Sequence, residues 1–207
     1  MDFTALIETC APAHFKETIA AIIQVESSAN PLSIGTKITK SDGDVFTLSR
    51  QPQTQEEAAG WAQWLLANQY QFDAGLMQIN SQHFERFAMK PENIFDTCNN
   101  IKVGASILHE NYKIAAKKRG EGEPALLAAV SAYNTGSFER GFTNDYVEKV
   151  KSKKLTLDKK GIMPPLIPKN SSNNQPSKLP IESPDSISSK VNTFHEGWSK
   201  PGEWKAS

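Results

Sequence analysis

Glu26 is the residue of this sequence that is best placed for acid–base chemistry. In the surrounding stretch, FKETIAAIIQVESSANP (15–31), apolar residues recur at spacings of three and four and predict an amphipathic helix. A step of four from Ile22 along this stripe reaches Glu26, at the last turn before Asn30-Pro31 ends the helix. Burial on this side raises the pKa of a carboxyl group, as a general acid working near neutral pH requires. A structural ion pair is the alternative interpretation of the pattern.

A second group for catalysis is less evident. Asp73 is the near candidate for another carboxylate, and we expect it to have a structural role in its loop, as a cap or a hydrogen-bond partner. Neither the two cysteines nor the four histidines show the spacing of zinc ligands, so the sequence predicts no metal site. The 23 basic and 23 acidic residues balance, which gives no indication of nucleic-acid binding.

Most of the elements that must position Glu26 are predicted to be helices. Pro12 suits the first position of the Glu26 helix, and Thr143 can cap the last helix. Thr54-x-x-Glu57 is a capping box. Residues 34–49 instead place β-branched and aromatic residues around Asp42-Gly43, which indicates a β-hairpin. We expect a mainly α-helical domain with one small β-hairpin, and its other helices at about 2–9, 54–68, 81–88, 97–118 and 124–134.

The C-terminal part of the chain has a different composition. Residues 161–207 contain seven of the twelve prolines and nine serines, and residues 151–207 carry a net charge of +5 from ten lysines and five acids. Few large apolar residues are available to offset the entropy of ordering this segment. We therefore expect a globular domain at 1–157 and a disordered Pro/Ser-rich tail at 158–207.

Four segments together resemble a known family: ESSANP (26–31), GLMQIN (75–80), NNIKVGASIL (99–108) and AYNTG (132–136). In this order and with these separations they are similar to the catalytic domain of lytic transglycosylases with the goose-type lysozyme fold. The insertion before GLMQIN and the cysteine contexts TCAP and DTCNNI resemble the subgroup attached to type IV secretion systems. The resemblance implies a lysozyme-like helical domain and no cofactor.

The resemblance also implies roles for individual residues. Glu26 is the single catalytic acid/base, and the side chain of Tyr133 approaches its carboxyl group. Six residues are expected to bind substrate in the sugar groove or to position the acid: Ser27, Met77, Gln78, Tyr133, Asn134 and Tyr146. For Gln78 and Asn134 the alternative is ordinary hydrogen bonding in a loop or at a helix end, and for Tyr133 it is core packing.

The cysteine contexts, and the presence of only two cysteines, lead us to expect a disulfide between Cys10 and Cys98. The first residues, MDFTALIETCAP, lack the basic start and the apolar segment of a secretory signal. The protein is therefore expected to be either cytoplasmic or a protein whose signal has been removed, and a disulfide would favour the periplasm. No segment approaches the roughly 18 apolar residues of a membrane span.

We thus expect a peptidoglycan lytic transglycosylase that cleaves the β-1,4 bond between N-acetylmuramic acid and N-acetylglucosamine and forms a 1,6-anhydro ring. It would open the wall locally for a type IV secretion or conjugation apparatus. The alternatives are a muramidase that hydrolyses the same bond and a wall-binding scaffold of the secretion complex. The expected partners are glycan strands and, through the tail, other secretion components, without nucleic acid.

Overall fold

A computed structural model of the protein describes residues 3–11, 15–36, 38–39 and 45–160. Within these residues the helices are α1 (Phe3–Cys10), α2 (Lys16–Glu26), α3 (Gln55–Ala67), α4 (Thr97–Arg119), α5 (Glu123–Thr135), α6 (Arg140–Thr143) and α7 (Tyr146–Lys160). The strands are β1 (Ile34–Thr36), β2 (Ile38–Thr39), β3 (Val45–Phe46), β4 (Phe72–Ala74) and β5 (Ile79–Asn80). The predicted mainly helical fold is confirmed. The predicted tail lies outside the described residues, apart from its first three, which belong to α7.

Helix α2 carries Glu26 as its last residue. The predicted apolar stripe forms the buried face of this helix, where three isoleucines are at most 1% exposed: Ile19, Ile22 and Ile23. The helix packs against α7. Glu26 therefore lies at the point where the end of α2 meets the start of α7.

Both ends of α2 have unusual backbone conformations. The helix begins at Lys16 rather than at Pro12, which lies outside the described residues, because Phe15 adopts a left-handed conformation with φ 70°. Beyond Glu26, the consecutive residues Ser28 and Ala29 also have positive φ, at 53° and 64°. Such conformations are costly for residues other than glycine, so the surrounding packing must hold the chain in them.

The strands form two small antiparallel sheets. One has the order β1-β4-β5, and its middle strand places Asp73 between Gly35 and Asn80. The other pairs β2 with β3 and confirms the predicted hairpin, whose Asp42-Gly43 turn lies outside the described residues. The three-stranded sheet was not predicted, because strands of two or three residues are too short to show an alternating pattern.

Two predicted helical features are wrong. At 81–88 only a 3₁₀ turn forms, at Ser81–His83, and the chain has left the helical conformation by Ala88, whose φ is 50°. Thr143 does not cap the last helix. It is the final residue of α6, and its hydroxyl donates back to the carbonyl of Arg140 at 2.9 Å.

Helix α4 packs against the GLMQIN segment (75–80). Its N-cap, Asp96, accepts a hydrogen bond from the N–H of Asn99 at 2.8 Å. Further along, Gly104 faces the side chain of Met77 so closely that a Cβ atom would collide with it. The glycine therefore allows the GLMQIN segment to approach the helix backbone. No described helix is long and apolar enough to cross a membrane.

The predicted disulfide between Cys10 and Cys98 is confirmed. It joins the end of α1 to the first turn of α4, and the two Cα atoms are 5.1 Å apart. The bridge closes a loop with a sequence separation of 88 residues. A covalent loop of this size restricts the unfolded chain strongly.

Replacing both cysteines by alanine is expected to lower the free energy of unfolding by about 4–5 kcal/mol, because the unfolded chain regains the entropy of the open loop. Urea unfolding of the oxidised protein, the reduced protein and the double variant measures this loss. The reduced protein and the double variant should have similar free energies of unfolding, since both have an open loop. Equal stability of all three forms would contradict the prediction.

Candidate active site

The carboxyl group of Glu26 is the centre of the site. Its Oε1 accepts a hydrogen bond of 2.5 Å from the hydroxyl of Tyr146, the first residue of α7. Burial raises the pKa of Glu26 from 4.5 to about 7, while the Tyr146 hydrogen bond opposes this shift and the charge of Asp73 adds to it. Burial and the Glu26 charge also raise the pKa of Tyr146, so its hydroxyl remains a donor. The site thus holds a carboxyl group that is about half protonated at neutral pH.

Asp73 combines a structural and an electrostatic role. Its Oδ1 accepts a hydrogen bond from Nδ2 of Asn80 on the neighbouring strand at 2.8 Å, in agreement with the expected structural role. Its negative charge also contributes to the raised pKa of Glu26 and of Tyr133. This second effect was not predicted, because it depends on strand β4, which the sequence pattern does not indicate.

The GLMQIN loop (75–80) is hydrogen-bonded to the residue that follows α2 and to α5. Ser27, directly after the acid, donates from Oγ to the carbonyl of Leu76 at 2.8 Å. Tyr133 in α5 donates from its hydroxyl to the carbonyl of Met77 at 2.7 Å. We expected Tyr133 to approach the acid. Burial raises the pKa of Tyr133 and the Glu26 charge adds to this shift, but its hydroxyl bonds to the loop, and Tyr146 is the tyrosine whose hydroxyl bonds to Glu26.

Asn100 in α4 holds the loop from the opposite side. Its Oδ1 accepts from the N–H of Met77 at 2.8 Å, and its Nδ2 donates to the carbonyls of Ala74 and Ile94 at 2.9 and 3.1 Å. Gly75 has φ 77°, and a Cβ atom there would collide with the Asn100 amide. The loop conformation therefore depends on a buried asparagine and a glycine together.

Two predicted groove residues have side chains that are engaged within the protein. The side chain of Met77 is 0% exposed, so it offers no surface to a sugar. Gln78 donates from Nε2 to the carbonyls of Ser33 and Gly75 at 3.0 and 2.9 Å. Gln78 is half-buried and keeps part of its surface accessible, whereas the backbone N–H and carbonyl of Met77 are bonded to Asn100 and Tyr133.

Asn134 lies further from the acid, at the exposed end of α5. Its Oδ1 accepts a hydrogen bond from Nδ2 of Asn144 at 3.2 Å, and Oδ1 of Asn144 in turn accepts from the N–H of Tyr146 at 3.1 Å. The structure thus connects Asn134 to the site through Tyr146. Its role in binding substrate stays a prediction.

Sequence reasoning missed two asparagines of the site. Asn100 had a detectable signal, because it shares one face of α4 with Gly104 and Leu108, and a polar residue on a buried face needs hydrogen-bond partners. Asn144 had none, because it is exposed and lies between two helices whose boundary was misplaced. In the part of the chain that the structure describes, no group of three His, Cys, Asp or Glu side chains could hold a metal ion.

This chain is similar in sequence to known proteins over most of its length. The transglycosylase SLT domain family matches residues 4–156. The type IV secretion system protein virB1 of Brucella abortus (strain 9-941) is 35% identical over 173 residues, which make up 81% of this chain and 70% of that protein. Protein virB1 of Rhizobium radiobacter is 36% identical over 164 residues, or 79% of this chain and 65% of that protein.

A shorter match joins this chain to the X polypeptide of Escherichia coli, which is 44% identical over 69 residues, 31% of this chain and 36% of that protein. No solved structure shows significant similarity. The family match spans most of the chain and includes Glu26, the GLMQIN loop and both tyrosines of the site. The chain therefore belongs to the transglycosylase SLT domain family and is a peptidoglycan lytic transglycosylase.

Proposed function

We propose that Glu26 is the single acid and base of the reaction. The observation that carries this proposal is the buried carboxyl group with its Tyr146 hydrogen bond. Because Oε1 accepts the Tyr146 hydrogen, the acid proton is carried by the other carboxyl oxygen, Oε2. With a pKa of about 7, Glu26 is both protonated often enough to act and acidic enough to release its proton.

The reaction uses this carboxyl group twice. Transfer of the Oε2 proton to the oxygen between N-acetylmuramic acid and N-acetylglucosamine breaks the bond to C1 and leaves an oxocarbenium-like sugar beside the Glu26 carboxylate. The C6 hydroxyl of the muramic sugar then bonds to C1, and the carboxylate takes its proton. This step closes the 1,6-anhydro ring and restores the acid without consuming water. General acid–base catalysis of this kind contributes roughly 10²–10⁴-fold to a rate.

The Tyr146 hydroxyl stabilises one stage of this reaction. A hydrogen bond to a carboxylate is stronger than one to a neutral carboxylic acid. The bond from Tyr146 therefore stabilises Glu26 most in the interval after it has given up its proton. Glycan strands would bind along the GLMQIN loop, where Ser27 and Tyr133 keep the loop beside the acid and where Gln78 and Asn134 remain accessible.

We also propose that the enzyme acts in the periplasm and opens the wall for a type IV secretion apparatus. The name of the Brucella relative, which is a type IV secretion system protein, supports the role in type IV secretion. The disulfide supports the periplasmic location, because such bonds persist in oxidising compartments, including the bacterial periplasm. Residues 1–157 would be the catalytic domain, and the tail at 158–207 would contact other secretion components.

Glu26→Gln is expected to abolish the release of anhydro-muropeptides from purified sacculi. Glutamine keeps the shape of the side chain and an acceptor for Tyr146, but it has no proton to transfer. Mass spectrometry of the products makes the measurement and also separates the proposed reaction from hydrolysis, which leaves a reducing end. Wild-type turnover by Glu26→Gln would end this mechanism, and reducing ends from the wild type would make the protein a muramidase.

Thermal melting of the same variant controls for folding. The folded-state pKa of Glu26, about 7, exceeds its ordinary value of 4.5, so the unfolded state loses the proton first as the pH rises. The wild type therefore loses stability between about pH 4.5 and pH 7, by up to about 3 kcal/mol, and Glu26→Gln does not. The variant should be folded, and its melting temperature relative to the wild type should rise across this pH range.

Asp73→Asn and Tyr146→Phe are expected to move the alkaline limit of activity in opposite directions. Removing the charge of Asp73 lowers the pKa of Glu26, whereas removing the Tyr146 hydrogen bond raises it. Because the acid must be protonated, the rate of muropeptide release should begin to fall at a lower pH in Asp73→Asn and at a higher pH in Tyr146→Phe. A shift in the same direction for both variants would refute this account of the Glu26 pKa.

A chain ending at Lys160 is expected to keep its melting temperature and its rate of muropeptide release. All residues of the site precede the end of α7, and the removed segment lacks the apolar residues to contribute much burial. Melting curves and release assays on the full chain and the shortened chain test this. Loss of release with intact folding would show that the tail completes the groove, and the proposed domain boundary would be wrong.

A further inference from the structure

Asn144 lies between α6 and α7 and forms hydrogen bonds to the ends of three helices. Its backbone N–H bonds to the carbonyl of Arg140 at 3.2 Å and completes α6. Its Oδ1 accepts from the N–H of Tyr146, the first residue of α7, at 3.1 Å. Its Nδ2 donates to Oδ1 of Asn134 near the end of α5, at 3.2 Å. The side chain of Asn144 therefore connects the start of α7 to the end of α5 by hydrogen bonds.

The turn that these bonds support is not one that the chain prefers by itself. Asp145, between Asn144 and the helix, has φ 62°, a conformation that costs a residue with a side chain about 1–2 kcal/mol. The next residue, Tyr146, is 5% exposed and reaches Glu26 with its hydroxyl. The position of this hydroxyl thus depends on how the backbone enters α7.

The segment ahead of Asn144 is already fixed to α5. Ser131, fully buried in α5, donates from Oγ to the carbonyl of Ser137 at 2.6 Å and accepts the N–H of Gly141 at 2.8 Å. A Cβ atom on Gly141 would lie 2.5 Å from the Cα of Ser131, so α6 is in direct contact with the backbone of α5. The remaining connection, from α6 to Tyr146, is the one that Asn144 bridges.

We propose that Asn144 is a positioning residue for the reaction: it fixes the start of α7 against the end of α5 and thereby holds the Tyr146 hydroxyl on Glu26. Asn144 itself touches no reacting atom. The inference rests on the proposed role of Glu26 as the acid, because only then does the Tyr146 contact affect the rate.

Titration of the Glu26 carboxyl carbon by NMR tests the proposal without any turnover. In Asn144→Ala, the Tyr146 contact loosens, and the pKa of Glu26 should rise by roughly half a unit, toward the value in Tyr146→Phe. Muropeptide release should fall about tenfold. In a Tyr146→Phe background, Asn144→Ala should add little to either effect, because the contact has already been lost. Asp73 and Tyr133, the other titratable groups coupled to Glu26, are unchanged in all of these variants.

Two further variants make the test specific. Asn144→Ser keeps an uncharged acceptor for the Tyr146 N–H but has no amide donor for Asn134, so it should restore the wild-type titration only in part. Thr143→Ala removes the neighbouring exposed hydrogen bond to Arg140 and should leave the titration unchanged. An unchanged Glu26 pKa in Asn144→Ala, with a lower melting temperature, would overturn the proposal and make Asn144 a structural cap only. Failure of the proposed function would instead appear as turnover by Glu26→Gln.

Discussion

The buried amide of Asn100 is the interaction on which the catalytic end of the molecule depends. It satisfies one backbone N–H and two backbone carbonyls around the GLMQIN loop, all of which lie too deep for water to replace it. A buried polar group without a partner costs about 1–3 kcal/mol. Loss of this side chain would therefore leave three backbone groups without their partner, each at a cost of this size. The loop is consequently held in one conformation, and Ser27 and Tyr133 join it to the end of α2 and to α5.

The environment of Glu26 suits a group that has to act first as an acid and then as a base. Burial alone would favour the protonated form strongly and make the carboxylate a costly intermediate. The Tyr146 hydrogen bond works against burial, and the pKa settles at about 7. Each unit of pKa away from the working pH adds about 1.4 kcal/mol to one of the two proton transfers. A pKa near neutrality keeps the free-energy cost of both proton transfers low.

The sequence was sufficient to predict features that depend on local periodicity. The apolar stripe of α2 predicted that Glu26 would face the core, and the resemblance of four segments predicted the family and the residues around the acid. The sheet containing Asp73 could not be predicted, because its strands are short and β1 pairs with β4 across about forty residues of sequence. The hydrogen-bond partners of Tyr133 and Tyr146 could not be predicted either. Both are aromatic residues on helices, and only the tertiary packing decides which hydroxyl reaches Glu26 and which reaches Met77.

The disulfide encloses one part of the site in a covalent ring and leaves the other part outside it. Residues 10–98 form a closed ring that contains Glu26, Ser27 and the whole GLMQIN loop, whereas Tyr133 and Tyr146 lie on the open chain beyond it. While it is intact, the ring limits how far the acid and its loop can separate even in the unfolded chain. The helices that bear the tyrosines have no such restraint and can detach by breaking non-covalent contacts alone. Local opening of this enzyme should therefore begin on the tyrosine side, and it would remove the Tyr146 hydrogen bond and the α7 packing from Glu26 while the acid stays within the closed ring.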